Sequence, residues 1–242
     1  MSILIKPPLG RKPKATPIRK GLVLDLPMLG AGDLNDYSLN GNDGVNNGAE
    51  WVDGENGTAL STSNNNNVTL PESFDFTKPY TLIVWHQRLH TDTGWHQMFS
   101  QGNDFQFSMI GSNVWLYSSG GVLGASISVG EYSCDAVSGD GTTKTIWHNG
   151  EFVNSASGVA SQIATPKVGS YTNDLEAHDG KISRVLLYDH VLSAQEIKSL
   201  YDDPWQAWRR KNIALWAAQG GVPPTGFEAW YAINANNLIG AA

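Results

Sequence analysis

Short runs of apolar and β-branched residues, separated by turn residues, predict that most of the chain folds as β-strands. The clearest pair comprises residues 143–148 and 151–155, joined by Asn149-Gly150 in the manner of a two-residue hairpin. Asp-Gly, Gly-Asp-Gly and Gly-Gly sequences separate other runs. Many short strands between such turns favour an antiparallel β-sandwich over a parallel α/β fold. The other predicted strands are 22–26, 59–61, 67–70, 80–87, 96–100, 104–110, 113–117, 126–129, 131–136, 162–168 and 180–188.

A helical pattern follows the last predicted strand. Ser193 and Glu196 have the spacing of a capping box, in which each side chain accepts a hydrogen bond from the other residue's backbone amide. Ile197 and Leu200 then lie on one apolar stripe, and Pro204 ends the helix. The pattern therefore predicts a strand, a tight corner and a short capped helix.

This closing unit, residues 179–205, is similar to the last segment of laminin-G-like modules in the concanavalin A-like lectin/glucanase superfamily. Four upstream segments resemble the family's first core strand, its Asp/Ser/Gly/Asn loop, its first sheet-pairing strand and its hairpin: residues 21–26, 36–44, 79–85 and 145–151. The resemblance implies an all-β, jelly-roll antiparallel β-sandwich over residues 21–203, with one short helix near its end.

The first 20 residues differ sharply in charge from the rest of the chain. They contain four prolines, which exclude a helix or a central strand, and six basic residues but no acidic one. Because the whole chain carries −7, residues 21–242 carry −13. The segment is either a solvated leader or an extended arm that lies on an acidic partner, including another copy of the chain. Nucleic acid is a weaker candidate because the arm lacks aromatic residues. The basic residues are Lys6, Arg11, Lys12, Lys14, Arg19 and Lys20.

Residues 204–242 are rich in tryptophan: Trp205, Trp208, Trp216 and Trp230. Residues 207–218 have the pattern of a short helix. So many aromatic residues favour a C-terminal extension that packs on the body or on a neighbouring subunit.

These two flanks also resemble those of virion proteins of tailed bacteriophages, which often leave the last helix through an Asp-Pro-Trp sequence, here Asp203-Pro204-Trp205. The resemblance implies a non-enzymatic virion protein that decorates a capsid or tail, with other virion proteins or its own copies as partners. The chain shows no signal peptide and no apolar run that could span a membrane. We therefore expect assembly in a host cytoplasm and a final location in the virion.

The sequence argues against an enzyme. Glucanases of the superfamily use carboxylates in a Glu-x-Asp-x-x-Glu spacing, which this chain lacks. Glu176 and Asp179 form the nearest acidic pair. The single cysteine, Cys134, has no partner for an intramolecular disulfide and is expected to be a core residue.

The sequence offers residues for two kinds of metal site. Laminin-G-like modules often bind Ca²⁺, and the resemblance makes Asp33, Asp36 and Asp43 candidate ligands. The alternative is that these carboxylates only form side-chain turns. Likewise, His86 and His96, with His90, are a weak set for a divalent metal; hydrogen-bonded strand residues are the favoured interpretation.

Aromatic residues near turns suggest a carbohydrate-binding module as the second function, since sugar rings stack on exposed aromatic faces while amides bind hydroxyl groups. The alternative for each aromatic residue is packing between two sheets. The candidate glycan-binding residues are Trp95, Trp115, Tyr117, Tyr171 and Asn173.

Overall fold

The computed structural model describes residues 18–206, apart from 31, 56, 64–65, 90–93, 112, 119–120, 127–129, 159–163 and 172–175. The predictions for most of the N-terminal arm and of the C-terminal extension lie outside the described residues. Those predictions include the helix at 207–218 and the residues Lys6, Arg11, Lys12, Lys14, Trp208, Trp216 and Trp230.

Fifteen strands and one helix make up the described fold. The strands are β1 Leu22–Leu26, β2 Val45–Asn47, β3 Glu50–Gly54, β4 Gly57–Thr62, β5 Asn67–Thr69, β6 Tyr80–Arg88, β7 Trp95–Ser100, β8 Phe105–Ile110, β9 Asn113–Ser118, β10 Gly121–Ser126, β11 Tyr132–Gly139, β12 Thr143–His148, β13 Glu151–Ser157, β14 Lys167–Val168 and β15 Gly180–Tyr188. The helix is α1, Ala194–Asp202.

The strands form two antiparallel sheets. The eight-stranded sheet has the order β13-β12-β11-β6-β15-β4-β3, and β1 also pairs with β15. The seven-stranded sheet has the order β10-β9-β8-β7-β14-β5-β2. Many strands that pair are far apart in the sequence. Each sheet therefore forms only after long connections have brought its strands together.

The inner faces of the two sheets enclose the main hydrophobic core. Alternate residues of each strand point inward, as Leu82 and Val84 of β6 and Phe105 and Phe107 of β8 do. Phe76 stacks on Phe105 with the ring centroids 3.7 Å apart. Removing one such buried ring is expected to cost about 3–5 kcal/mol of folding free energy.

A second apolar cluster lies on the outer face of the eight-stranded sheet, beneath α1. Ile197 and Leu200 of the helix pack on Ile83 and Tyr188 of the sheet, and all four are buried. The predicted capping box is confirmed: the Ser193 hydroxyl accepts from the Glu196 amide and the Glu196 carboxylate accepts from the Ser193 amide. Cys134 is buried in the same cluster, where burial raises the pKa of its thiol well above the usual value.

Both ends of the described segment lie on this helix-covered face. The Tyr188 hydroxyl donates to the Ile18 carbonyl over 3.0 Å. At the other end, the Arg184 guanidinium lies 4.7 Å from the centre of the Trp205 ring and donates to the Pro204 carbonyl. Arg184 also forms a buried bidentate ion pair with Asp25, with Nη2 2.8 Å from Oδ2 and Nε 3.0 Å from Oδ1.

The inward row of β6 becomes polar toward the end of the strand. His86 follows Val84 in that row, and its Nε2 lies 2.6 Å from Oδ2 of Asp135. The other oxygen of the same carboxylate lies 2.8 Å from Nδ1 of His148. The His178 ring packs edge-on against His86, with centroids 5.0 Å apart. One end of the sandwich interior therefore contains a buried histidine–aspartate cluster.

The strand predictions were least accurate at the sheet edges. The sequence pattern missed β2, β3 and the greater part of β10, and all three are edge strands. Of the strand predicted at 126–129, only Ser126 is described, as the last residue of β10. Every residue of β2 is exposed, so its sequence has no apolar face to alternate. The strand predicted at 162–168 is described only as the two residues of β14.

In the part of the chain that the structure describes, no helix has the length and apolar character needed to cross a membrane.

Candidate functional site

The outer face of the seven-stranded sheet carries a different set of side chains from the helix-covered face. On β8 the buried residues Phe105 and Phe107 alternate with Gln106, which points outward. On β9 the same alternation turns Trp115 and Tyr117 outward, and Tyr117 lies opposite Gln106 in the strand register. Strict alternation in this sequence therefore aligns aromatic and amide side chains on one surface.

An open cleft with a volume of ≈ 350 Å³ lies on this surface. The described residues that line it are three aromatic residues, two amides and one carboxylate: Trp95, Asn103, Gln106, Tyr117, Tyr171 and Glu176. Strands β7, β8 and β9 supply Trp95, Gln106 and Tyr117, whereas the other three come from connecting segments. The rigid sheet thus fixes one part of the cleft and the loops complete it.

The aromatic side of the cleft is held by contacts between its own rings. Trp95 and Tyr117 meet edge to face, with centroids 6.4 Å apart and planes inclined at 82°, a geometry that the ring quadrupoles favour. Tyr117 is exposed, and Trp95 and Tyr171 are half-buried. The Tyr171 hydroxyl donates to Oδ1 of Asn103. This hydrogen bond joins the loop between β14 and β15 to the loop between β7 and β8.

A chain of hydrogen bonds holds the polar side of the cleft. Nε2 of the fully buried Gln97 donates to Oε1 of Gln106 over 3.0 Å and to Oε2 of Glu176 over 3.1 Å. Nε2 of Gln106 donates onward to the Asn103 carbonyl over 3.0 Å. The backbone of Glu176 has a φ of +53°, and its carbonyl accepts from the Gln97 amide over 2.9 Å. Glu176 is therefore positioned by both its backbone and its side chain.

Three of the five predicted glycan-binding residues meet in this cleft: Trp95, Tyr117 and Tyr171. Trp115 lies on the same sheet face, but its ring packs over Gly124, where an added Cβ would lie 2.9 Å from the ring. It is not among the described lining residues. Asn173 lies outside the described residues.

Sequence reasoning missed Asn103 and Gln106 and did not assign Glu176 to a binding site. The alternation of β8 contained the signal for Gln106, because an amide between two buried phenylalanines must face outward. Asn103 and Glu176 carried no such signal, since residues 73 positions apart in the sequence meet only in the folded sandwich.

The predicted calcium ligands are engaged in turns. The two oxygens of Asp36 accept from the amides of Asp25, Ser38 and Asn42, and Oδ1 of Asp43 accepts from the Asp36 amide over 2.7 Å. The carboxylate of Asp33 accepts from the side chains of Asn35 and Tyr37. Among the described residues, no group of three or more His, Cys, Asp or Glu side chains is arranged to hold a metal ion. These contacts are those of side-chain turns, and the calcium site stays a prediction.

The histidine set considered for a metal is likewise engaged elsewhere. His86 bonds Asp135, Nδ1 of His96 lies 2.8 Å from the Ala177 carbonyl, and His90 lies outside the described residues. This arrangement agrees with the favoured interpretation of hydrogen-bonded strand residues.

The acidic pair noted in the sequence does not act as a pair in the cleft. Glu176 lines the cleft, whereas Asp179, at a φ of +51°, forms the turn into β15 and is not among the described lining residues. Of the assembly residues that the structure describes, Arg19 and Lys20 are exposed and Trp205 covers Arg184.

Comparison with protein families supplies the class of this domain. Residues 62–198, more than half of the chain, match the family described as the concanavalin A-like lectin/glucanases superfamily. The chain therefore belongs to this superfamily, and both the predicted family and the all-β sandwich with one short helix are confirmed. A comparison with curated proteins finds no match to the sequence.

Solved structures share the fold at low sequence identity. Domain 4 of AbnA, an extracellular arabinanase of Geobacillus stearothermophilus solved with arabinotriose, has 18% identity and a TM-score of 0.62 over 74% of this chain and 98% of that domain. The binding domain of Paraclostridial Mosquitocidal Protein 1 has 14% identity and a TM-score of 0.61 over 77% of this chain and 53% of the other. The botulinum neurotoxin serotype D binding domain has 11% identity and a TM-score of 0.63 over 76% and 52%. The chain thus spans about half the length of the two toxin domains.

Proposed function

We propose that this domain binds a carbohydrate in the cleft on the outer face of the seven-stranded sheet. The observation that carries the proposal is the meeting of Trp95, Tyr117 and Tyr171 with Gln106 and Glu176 around one open cleft. Apolar faces of a sugar ring pack on aromatic rings, while its hydroxyls bond amides and carboxylates. A concave, partly aromatic surface with a few fixed polar groups has the character of a small-molecule site.

The structural neighbours support this proposal through their fold. One was solved with arabinotriose, and others are toxin binding domains. At these identities the likeness shows the fold alone, so the identity of a sugar must come from the cleft of this chain.

We propose further that the domain binds its sugar without hydrolysing it. Glycoside hydrolysis generally uses two carboxyl groups on either side of the scissile bond. Glu176 is the one carboxylate among the described lining residues. Assays with neutral and acidic polysaccharides should show no reducing sugar released above that of a Glu176→Ala variant.

A glycan array on the full chain tests the binding proposal. Trp95→Ala and Tyr117→Ala should each weaken binding at least about tenfold, because each removes an aromatic face from the ligand. Phe152→Ala is the matched control, since Phe152 is an exposed aromatic residue on the eight-stranded sheet. Equal binding by wild type and both cleft variants would contradict the proposal.

The setting that we propose for this domain is the virion of a tailed phage, where the flanks anchor it as a decoration protein. The sequence resemblance of the flanks suggests the setting. One structural feature supports it: the chain enters at Ile18 and leaves at Pro204 and Trp205 on the outer face of the eight-stranded sheet. That face lies on the opposite side of the sandwich from the sheet face that carries the cleft.

Deletion of residues 1–17 tests this setting, because it removes most of the basic arm but keeps Ile18 in the fold. Incorporation into phage particles, measured by quantitative mass spectrometry, should fall strongly while the melting temperature of the purified domain stays within a few degrees. Normal incorporation of the truncated chain would exclude an anchoring role for the arm.

A further inference from the structure

The charge of the cleft restricts the sugars that it can accept. Among its described lining residues, Glu176 carries a full charge, and none carries a positive charge. Because the chain from residue 21 onward is also strongly acidic, no excess of basic residues offsets this carboxylate at longer range. A sugar that carries a carboxylate or sulfate would therefore meet a like charge in the site, without a described lysine or arginine to pair with it.

The hydrogen bonds of the cleft further restrict the ligand. Both amide hydrogens of Gln97 are engaged, one by Gln106 and one by Glu176. The hydroxyl hydrogen of Tyr171 is engaged by Asn103. An ionised carboxylate only accepts hydrogen bonds, and Oε2 of Glu176 is held by Gln97, which leaves Oε1 to face a ligand. The carboxylate side of the cleft thus presents acceptors, which require a ligand that donates.

Resting on the proposed carbohydrate-binding function, we propose that the cleft selects uncharged sugars, whose hydroxyl groups donate to Glu176, and rejects anionic ones. Hydroxyl donors bound to a carboxylate form charge-assisted hydrogen bonds, which are stronger than neutral ones. A uronic or sialic acid carboxylate at the same position would leave two acceptors facing each other. Glu176 is then the residue that determines specificity, and Gln97 is a positioning residue that holds its carboxylate.

The test uses immobilised neutral gluco-, galacto- and arabino-oligosaccharides, each paired with a counterpart whose terminal primary alcohol is oxidised to a carboxylate. The wild-type chain should bind the neutral member at least about tenfold more tightly, and the difference should shrink as salt rises from 0.05 to 0.5 M, since salt screens exposed charges. Glu176→Gln keeps the size of the side chain. It should weaken neutral binding severalfold, because a neutral hydrogen bond replaces a charge-assisted one, and it should reduce the preference to about twofold or less.

Glu151→Gln is the matched control, because it removes one exposed negative charge on β13 of the other sheet. It should leave the preference unchanged. If Glu151→Gln reduced the preference as much as Glu176→Gln does, overall charge would be the cause and the inference would be overturned. Equal wild-type binding of both members of each pair would overturn the inference but leave the carbohydrate-binding proposal intact. Absence of binding to every glycan on a broader array would overturn both.

Discussion

The outer faces of the two sheets arise from the same strand alternation and yet differ in every property that matters for binding. On the eight-stranded sheet the outward residues Ile83 and Tyr188 are apolar and α1 covers them. On the seven-stranded sheet the outward residues Tyr117 and Gln106 line an open cleft. A covered face contributes to stability, whereas an open face with aromatic and polar groups is available to a ligand. The comparison predicts that substitutions on the two faces separate stability from binding.

The largest effect on stability is expected at the ion pair beside the exit of the chain on the covered face. Asp25→Ala should lower the free energy of unfolding by about 3–5 kcal/mol, because it leaves the buried Arg184 without its counter-charge. Urea denaturation measures the change. The double variant Asp25→Ala with Arg184→Met should recover part of the loss, and a single-variant loss under about 1 kcal/mol would contradict a buried, desolvated pair.

The next largest effect on stability is expected in α1, the helix that covers this face. Leu200→Ala should cost about 2–5 kcal/mol, because it opens a cavity between α1 and the sheet. Leu39→Ala is the matched control, since Leu39 is 86% exposed and the same change there should cost no more than about 0.5 kcal/mol. Glycan binding should be unchanged in both variants. A specific loss of binding in folded Leu200→Ala would mean that the two faces are coupled.

The buried histidines between the faces should make stability depend on pH. Burial lowers the pKa of His178 well below its usual value, and the nearby His86, His96 and Arg88 lower it further. The unfolded chain therefore binds a proton below pH about 6.5 that the folded chain does not. The contribution of neutral His178 to the free energy of unfolding is therefore complete above pH 6.5. It is lost as the pH falls below that value, by at most about 1.4 kcal/mol per pH unit. His178→Gln should remove this slope in urea titrations between pH 7.5 and 5.

The pKa values of His148 and Asp135, in the same cluster, are also shifted, and they affect stability in other pH ranges. The hydrogen bond to Asp135 raises the pKa of His148. Protonated His148 therefore stabilises the fold fully below pH 6.5, and this stabilisation declines as the pH rises through the raised pKa. Burial alone would raise the pKa of Asp135, but hydrogen bonds from His148 and His86 outweigh it and lower the pKa. The stabilisation from Asp135 is lost only under strongly acidic conditions. A slope between pH 5 and 6.5 that persists in His178→Gln would contradict this assignment.

The smallest effect on stability is expected on the open face, where the effect on binding is greatest. Trp95→Ala removes a half-buried ring and its edge-to-face contact with Tyr117, so the loss should be about 1 kcal/mol. Its glycan binding should nevertheless weaken at least about tenfold. Measuring urea unfolding and binding on the same preparation separates the two effects. A stability loss above about 3 kcal/mol would indicate that Trp95 is a packing residue instead.

Much of the fold could be predicted from local patterns. Residues 22–26, 143–148 and 180–188 were predicted with the bounds that β1, β12 and β15 have, because buried strands have clear apolar patterns. The capping box placed α1 correctly, since its hydrogen bonds join residues only three apart. β2 could not be recognised, because every residue of this edge strand is exposed and it needs no apolar face.

The site could be predicted only in part. The aromatic candidates Trp95, Tyr117 and Tyr171 were identified by residue type, and the structure places them around one cleft. Trp115 carried the same signal as Tyr117 two residues later, and both point outward from β9. Only the position of the neighbouring Gly124 shows why the Trp115 ring packs along the sheet.

The sequence by itself determined the alternation of the strands, the capped helix and the membership of a lectin-like superfamily, because these depend on residue types at short spacings. The tertiary structure alone decided which outer face α1 covers and which remains open. It also decided that Glu176 meets Gln106 through Gln97. The bond between Gln97 and Glu176 joins residues 79 positions apart, and such a contact forms only when distant parts of the chain have folded together.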